Sequence, residues 1–248
     1  MAEALCVALF SKGYNIEKIV SRSESQGIAF ARRFGAVWSD EYDFADTTDI
    51  ILVAVSDSSI KAVLERLNCN ANTIVAHTAA SFGLGDFPET INRKAVFYPL
   101  QTFSHNREIS FSGLPLFIEA SDEAASAVLA SIAESLESKI FFADFQSRKT
   151  LHLAAVVVSN FTNHLMTKGK EIAIKSGASF EELKPLIMET VMKAFENGPE
   201  NSQTGPAERN DKITISRHLE MLSFDRDMEK IYNDISISII NYHNIPKQ

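Results

Sequence analysis

Lys149, His152, Asn160 and Asn163 set an ammonium, an imidazole and two amides at spacings of 3, 8 and 3 residues. On an α-helix these positions fall near one stripe, with Val156 between them. The rest of that helix is apolar, with Leu153, Ala154, Val157, Phe161 and Leu165. Polar groups on such a helix need partners within the protein or a ligand. They either close a structural network or face a substrate, with His152 or Lys149 able to hand over a proton. Four further places carry usable groups, each beside a plainer structural explanation. Ser21-Arg22-Ser23 follows a short β-branched run; Ser23 with Gln26 has capping-box spacing, and Arg22 alone is a surface charge. His77-Thr78 follows an apolar run, where a lone histidine is more often structural. Gln101 and Thr102 sit between aromatics in FYPLQTF, where a core loop with one satisfied amide also fits. Thr204 and Arg209 lie in QTGPAERND; a plain turn explains Gly205-Pro206 but neither Arg209 nor Asp211.

These residues need elements to hold them. A helix over Ala2 to Lys12 ends at Gly13, and Ile16 to Val20 reads as a strand. A helix opened by Ser23 stops at Gly35. Asp49 to Val55 is a continuous apolar run, after which Asp57 caps a helix through Leu67, and Asn72 to Ala76 repeats the theme. Runs that are apolar on both faces and alternate with helices predict a doubly wound, Rossmann-like parallel sheet covered on both sides. Further strands are expected at Ala95 to Phe97, Leu116 to Glu119 and Ile140 to Phe142, with a helix opening at Ser121 to Glu123 before the last. From Gln146 onward the pattern is helical only: Gln146 to Ser176, Phe180 to Asn197 capped by Ser179 with Glu182, Ile213 to Leu222, and Asp225 to Tyr242. In the last, Ile231, Ile235 and Ile239 keep helical spacing despite the alternation between Ile235 and Ile239. The reading is α/β over residues 1–145 followed by an all-α domain over 146–248. In doubly wound sheets ligands bind beyond the carboxyl ends of the strands, where Ser21, Ser56 and His77 fall. Arg and hydroxyls after the strand ending at Val20, in place of an acidic residue, suit the 2′-phosphate of NADP, because guanidinium offers a planar fork of donors.

The 248 residues carry 24 Lys plus Arg against 32 Asp plus Glu, a net charge of −8. With no run of more than two cations, this argues against nucleic acid as a partner. With 45% hydrophobic and 23% charged residues the chain has a core to bury. Its aliphatic runs fall far short of the ~20 residues that span a membrane. Ala4 to Phe10 lacks the basic start of a signal peptide and reads as helix. Cys6 and Cys69 have neither disulfide-framework nor zinc-site spacing, so no metal is expected and a reducing cytoplasm is the default.

AHTAAS (76–81), FYPLQTF (97–103), LHLAAVVVSNFTNHL (151–165) and QTGPAERND (203–211) together resemble the Rossmann-like proteins with a C-terminal domain of unknown function 2520. That family is described as NADP oxidoreductases, similar in architecture to pyrroline-5-carboxylate reductase and 6-phosphogluconate dehydrogenase. The resemblance covers almost the whole chain. It implies hydride transfer between nicotinamide and a small-molecule substrate in the cleft between the domains, and a homodimer formed through the helical domain. On that reading Ser21, Arg22 and Ser23 hold the adenosine phosphate of NADP, and Ala54, Val55, Ser56, His77 and Thr78 line the dinucleotide path. Lys149, His152, Asn160 and Asn163 face the substrate, with Gln101, Thr102, Thr204 and Arg209 as further contacts. One departure stands out. The family opens with a strand and a Gly-rich turn, whereas Met1-Ala2-Glu3-Ala4-Leu5 looks like the helix after that turn, and no GxGxxG occurs. Either Met1 is an internal methionine or the chain binds dinucleotide poorly; the intact downstream motifs favour the first. The rival reading is a non-catalytic nucleotide-binding or dimeric interaction protein. The absent turn favours it, and the polar stripe opposes it.

Overall fold

The computed structural model describes residues 1–104, 107 and 109–244. It divides into two compact units, Met1–Val158 and Ser159–Gln248.

The first unit is built on a sheet. Its elements are α1 (Ala2–Ser11), β1 (Lys18–Val20), α2 (Glu24–Arg32), β2 (Val37–Ser39), β3 (Ile50–Val53), α3 (Asp57–Leu64), β4 (Ile74–His77), β5 (Arg93–Pro99), β6 (Pro115–Ala120), α4 (Glu123–Ser135), β7 (Lys139–Phe142) and α5 (Phe145–Ala155). The strands lie in order β3-β4-β5-β6-β7, with β1 and β2 as a separate parallel pair. β3, β4 and β5 run parallel, as do β6 and β7. β5 and β6 are antiparallel, against the wholly parallel expectation. Among the described residues no helix joins them, and without a crossover helix the chain returns antiparallel. Among the described residues β1 and β3 each have one strand neighbour, so each leaves one edge without a ladder partner there.

Alternation along the central strands sorts the core. Ile74, Ala76, Ala95, Phe97, Leu116 and Ile118 point to one face and pack with Leu5 and Leu9 of α1 and with Ala125, Leu129, Ile132 and Ala133 of α4. Val75, Ile51 and Val53 turn to the other face against Ile60 and Leu64 of α3. Val96 and Tyr98 also lie off the first face, in a small cluster with Ala80.

Local details depart from the sequence reading in three ways. Ser23 takes the N-cap position of α2, but its hydroxyl makes no capping bond; the backbone alone closes the turn, from Gly27 N to Ser23 O at 2.8 Å. Ser56, not Asp57, takes the N-cap position of α3, which ends at Leu64, and its hydroxyl makes no capping bond. Asp57 as first helical residue keeps its charge at the positive end of the helix and accepts a hydrogen bond from the Ser81 hydroxyl. β2 had no counterpart in the sequence reading.

The second unit is helical. It contains α6 (Thr162–Lys175), α7 (Lys184–Asn197), the short α8 (Pro199–Ser202), α9 (Lys212–Met221) and α10 (Arg226–Asn244). A 3-10 turn over Phe180–Leu183 precedes α7, and the Glu182 carboxylate accepts from Ser179 N at 2.8 Å as the capping box predicts. Asp211 caps α9 by accepting from Thr214 N at 3.0 Å and Thr214 Oγ1 at 2.7 Å, which accounts for that acidic residue in QTGPAERND. The alternating isoleucines are helical, inside α10.

The expected single helix over 146–176 is interrupted. Between α5 and α6 the residues Val156–Phe161 form a π-helix. Each π turn takes roughly one residue more than an α turn, so the interval of eight from His152 to Asn160 no longer carries the α spacing on which the four-residue stripe rested.

Candidate functional site

The carboxyl ends of β3, β4 and β5 gather the polar groups of the first unit. Their positions follow from strand alternation and from register, which sets Val53 beside His77 and His77 beside Val96. Tyr98, two residues on, brings its hydroxyl to 3.0 Å from Nδ1 of His152 on α5. Burial, then the Asp57 carboxylate, raises the phenol above its ordinary value, while the Arg148 guanidinium opposes them. Tyr98 therefore stays protonated near neutrality, and its hydroxyl and the imidazole are hydrogen-bonded. Such a pair can pass a proton to a ligand resting at the strand ends.

His77 has a different character. It is fully buried, stacked on Phe87 with ring centroids 5.3 Å apart and edge-on to Phe82 at 5.5 Å. Its Nδ1 accepts from Ala79 N at 3.2 Å, so the neutral ring carries its proton on Nε2, which has no partner among the described residues. Burial and then Arg148 push its pKa down to about 4, against the pull of Asp57 and Asp86. The ring stays neutral through the physiological range and shapes the loop after β4. Thr78 beside it is buried too, with its N–H on Val53 O at 3.3 Å. Ala54 is partly buried against the core, Val55 is exposed, and the exposed Ser56 hydroxyl is 2.9 Å from that of Ser59.

Ser21, Arg22 and Ser23 follow β1. The Ser21 hydroxyl oxygen accepts from Trp38 Nε1 at 3.0 Å and faces Ser23 O at 3.3 Å, so it is already committed. Gly27 makes room for this contact: a Cβ there would lie 2.1 Å from Trp38 Nε1. Arg22 is exposed with no partner among the described residues, and the Ser23 hydroxyl makes no capping bond. A guanidinium and a hydroxyl left free beside a strand end fit a phosphate group. No glycine-rich turn accompanies them among the described residues.

The polar stripe does not form a closed network. Lys149 is exposed, with its ammonium 5.9 Å from the Phe145 ring centroid, and Asn160 and Asn163 are exposed in the second unit. Gln101 and Thr102 are exposed and bond to each other, with Thr102 N donating to Gln101 Oε1 at 2.8 Å. In the second unit Thr204 lines a cavity of about 170 Å³ with Pro206, Tyr232 and Ser236, while Arg209 is exposed. The sequence reading missed Tyr98 and Arg148. Arg148 is wholly buried and paired with Glu119. The signal for it was Glu119 itself, a carboxylate at the end of the apolar run Leu116-Phe-Ile, which calls for a cation.

A strand-helix unit with its polar groups beyond the strand ends, followed by a helical unit, is the oxidoreductase-like fold that binds NAD(P). The chain belongs to the family defined by the domain of unknown function DUF2520, whose model matches residues 114–239, and a model described as NADP oxidoreductase coenzyme F420-dependent matches residues 1–81. Among solved structures it is similar to a candidate NADP oxidoreductase from Bacteroides fragilis, at 35% identity over 97% of this chain and 94% of that one, with a TM-score of 0.87. A Thermotoga maritima protein shares the fold at 22% identity, over 99% and 96% of the two chains, with a TM-score of 0.79. So does pyrroline-5-carboxylate reductase from Streptococcus pyogenes, at 13% identity over 96% and 95%, with a TM-score of 0.57. No curated protein matches the chain. Among the described residues no helix is long and apolar enough to cross a membrane.

Proposed function

We propose that the chain is an NADP-dependent oxidoreductase acting on a small organic substrate at the carboxyl ends of the strands. The observation that carries this reading is the Tyr98–His152 pair, a phenol hydrogen-bonded to an imidazole at the carboxyl ends of parallel strands where this fold receives its ligand. When bound, a nicotinamide dinucleotide supplies or takes the hydride. The chain's own groups do the rest. Arg22 and the Ser23 hydroxyl hold the 2′-phosphate, with Ser21 braced by Trp38. Ala54, Val55, Ser56 and the backbone at Thr78 line the path, and His77 keeps the loop after β4 in shape from behind. In the reducing direction the Tyr98–His152 pair gives a proton to the substrate atom that becomes negative as hydride arrives. Lys149, Asn160, Asn163, Gln101, Thr102, Thr204 and Arg209 are the proposed substrate contacts. The similarity to the Bacteroides protein supports the NADP assignment.

The same reading includes a homodimer formed through the helical unit, in a cytoplasmic protein whose two thiols stay reduced. Nicotinamide binding tests the core of it. Tyr98→Phe is expected to leave NADPH affinity within about twofold and to lower turnover by about a hundredfold, the scale of a lost general acid. Unchanged turnover in Tyr98→Phe would remove the pair from the chemistry. A chain that binds nucleotide and reduces nothing in a panel of small imines, ketones and aldehydes would favour the non-catalytic alternative.

A further inference from the structure

We propose that Arg148 is a positioning residue: its guanidinium fastens the first turns of α5 to β6 and to the loop after β4, and so places His152 against Tyr98. The inference rests on reading Tyr98–His152 as the proton-handling pair.

The contacts are specific. Arg148 Nη1 donates to Glu119 Oε2 on β6 at 2.6 Å, and Nη2 donates to Phe82 O, in the loop after β4, at 2.7 Å. The side chain is 0% exposed. A guanidinium taken fully out of water costs a great deal, and a buried ion pair returns little net stability compared with apolar side chains of the same volume. What a planar fork offers in exchange is geometry, because both of its arms must be met at once.

That geometry bears on His152 through two matched spacings. On β6, Glu119 stands opposite Val96 and Phe117 opposite Tyr98, so Glu119 and Tyr98 lie on the same face, one two-residue strand repeat apart along the sheet. That repeat is about 7 Å. On α5, Arg148 and His152 are separated by four residues, a rise of about 6 Å. Two rungs therefore connect helix to sheet, Arg148 to Glu119 and His152 to Tyr98, and the first fixes the height of the second. Phe145 completes the stripe at the spacing i, i+3, i+7. Its ring lies so close to Gly83 that a Cβ there would be 3.1 Å from it, a second contact with the same loop. The Asp144 side chain caps the helix start by accepting from Ser147 N at 2.7 Å. Neighbouring Lys149 takes no part in this stripe and is exposed.

The test reads His152 directly, by long-range proton–nitrogen NMR on the full chain without nicotinamide. In the parent the Nδ1 signal is expected away from the free-imidazole value, and Tyr98→Phe should return it there. Arg148→Lys and Glu119→Gln should move it at least halfway to the Tyr98→Phe position while circular dichroism stays that of a folded chain. Folded variants with a parental Nδ1 signal would overturn the proposal and leave Arg148 a structural residue only. If Arg148→Lys does not fold, Glu119→Gln decides alone, since its amide keeps the volume and an acceptor oxygen. The measurement needs no nucleotide. A chain that shows these shifts but binds no NADPH keeps the positioning role and loses the hydride-transfer reading; a chain that binds NADPH with an unmoved His152 signal loses the positioning role alone.

Discussion

Phe97 and Phe195 are the same side chain in opposite circumstances. Phe97 sits on β5 in the first unit at 0% exposure, covered by α1 and α4; Phe195 lies on α7 in the second unit at 88%. They stand for their units. The sheet of the first buries apolar residues on both faces, and its clusters are closed by helices. Among the described residues of the second unit the buried apolar side chains are Ala207, Ile215 and Leu222, while Leu186, Met188, Met192, Phe195, Ile213 and Met221 are all more than half exposed. A four- or five-helix unit that leaves so much apolar surface in water gains little stability from its own core, and the surface it shows is of the kind that another protein surface covers. One unit is specified by its interior, while the other leaves an apolar surface open. A second copy of the chain is the occupant we propose.

The largest contrast should come from these two phenylalanines. Phe97→Ala is expected to lower unfolding stability by about 3–5 kcal/mol, the cost of an emptied aromatic core site. Phe195→Ala should change unfolding of the dilute chain by no more than about 0.5 kcal/mol, as at other surface sites. It should instead weaken self-association by tenfold or more in light scattering. If Phe195→Ala destabilised as much as Phe97→Ala, or if the parent stayed a stable monomer, the contrast would fail.

A second test sharpens the interior of the first unit through pH. His77 titrates at about 4 in the folded chain, against an ordinary 6.5 when unfolded. Between those values the unfolded state binds a proton that the native state refuses, so stability is present above 6.5 and falls as pH drops toward 4. The loss from pH 7 to 4.5 should be roughly 2–3 kcal/mol by linkage. In His77→Gln, denaturant unfolding should show most of that slope gone. Asp122, held down to about 2 by the Arg93 guanidinium, acts in a lower window and should not obscure it. An equal slope in both proteins would contradict the buried neutral ring. The smallest effect on folding is expected at Asn160, which is exposed; Asn160→Leu should shift stability by about 0.5 kcal/mol or less while impairing substrate turnover. A large stability change there would mark it as structural.

What the sequence disclosed follows from how local each signal is. β3 and β4 were legible because Ile50-Ile-Leu-Val and Ile74-Val-Ala are short apolar runs closed by polar residues. The caps at Asp122, and the Ser179–Glu182 box, were legible because a cap is a matter of three residues. β2 was not, since Val37-Trp-Ser is three residues long and Val37 is exposed. Nor was the reversal at β6, because strand direction is set by the connection and leaves no mark in the strand's own composition. The π segment hides in Val156-Val-Val, which reads as an ordinary apolar helix face. Tyr98 looked like one aromatic among several; its partner lies 54 residues away, and no local pattern links them. Arg148 was passed over because a cation on a helix is usually solvated, and only the fold shows that its side chain is enclosed.

If the chain holds NADP through the residues after β1, as proposed, the protein carries its own reporter there. Its one tryptophan, Trp38, donates to Ser21 Oγ one residue from Arg22. Titrating the chain with NADPH and with NADH while following Trp38 fluorescence measures both affinities directly. Saturable quenching by both is expected, with NADPH tighter by tenfold or more and the gap, about 1.5–3 kcal/mol for a charged hydrogen bond, erased in Arg22→Ala. Equal affinities in the parent, or no saturable response to either nucleotide, would contradict the proposal.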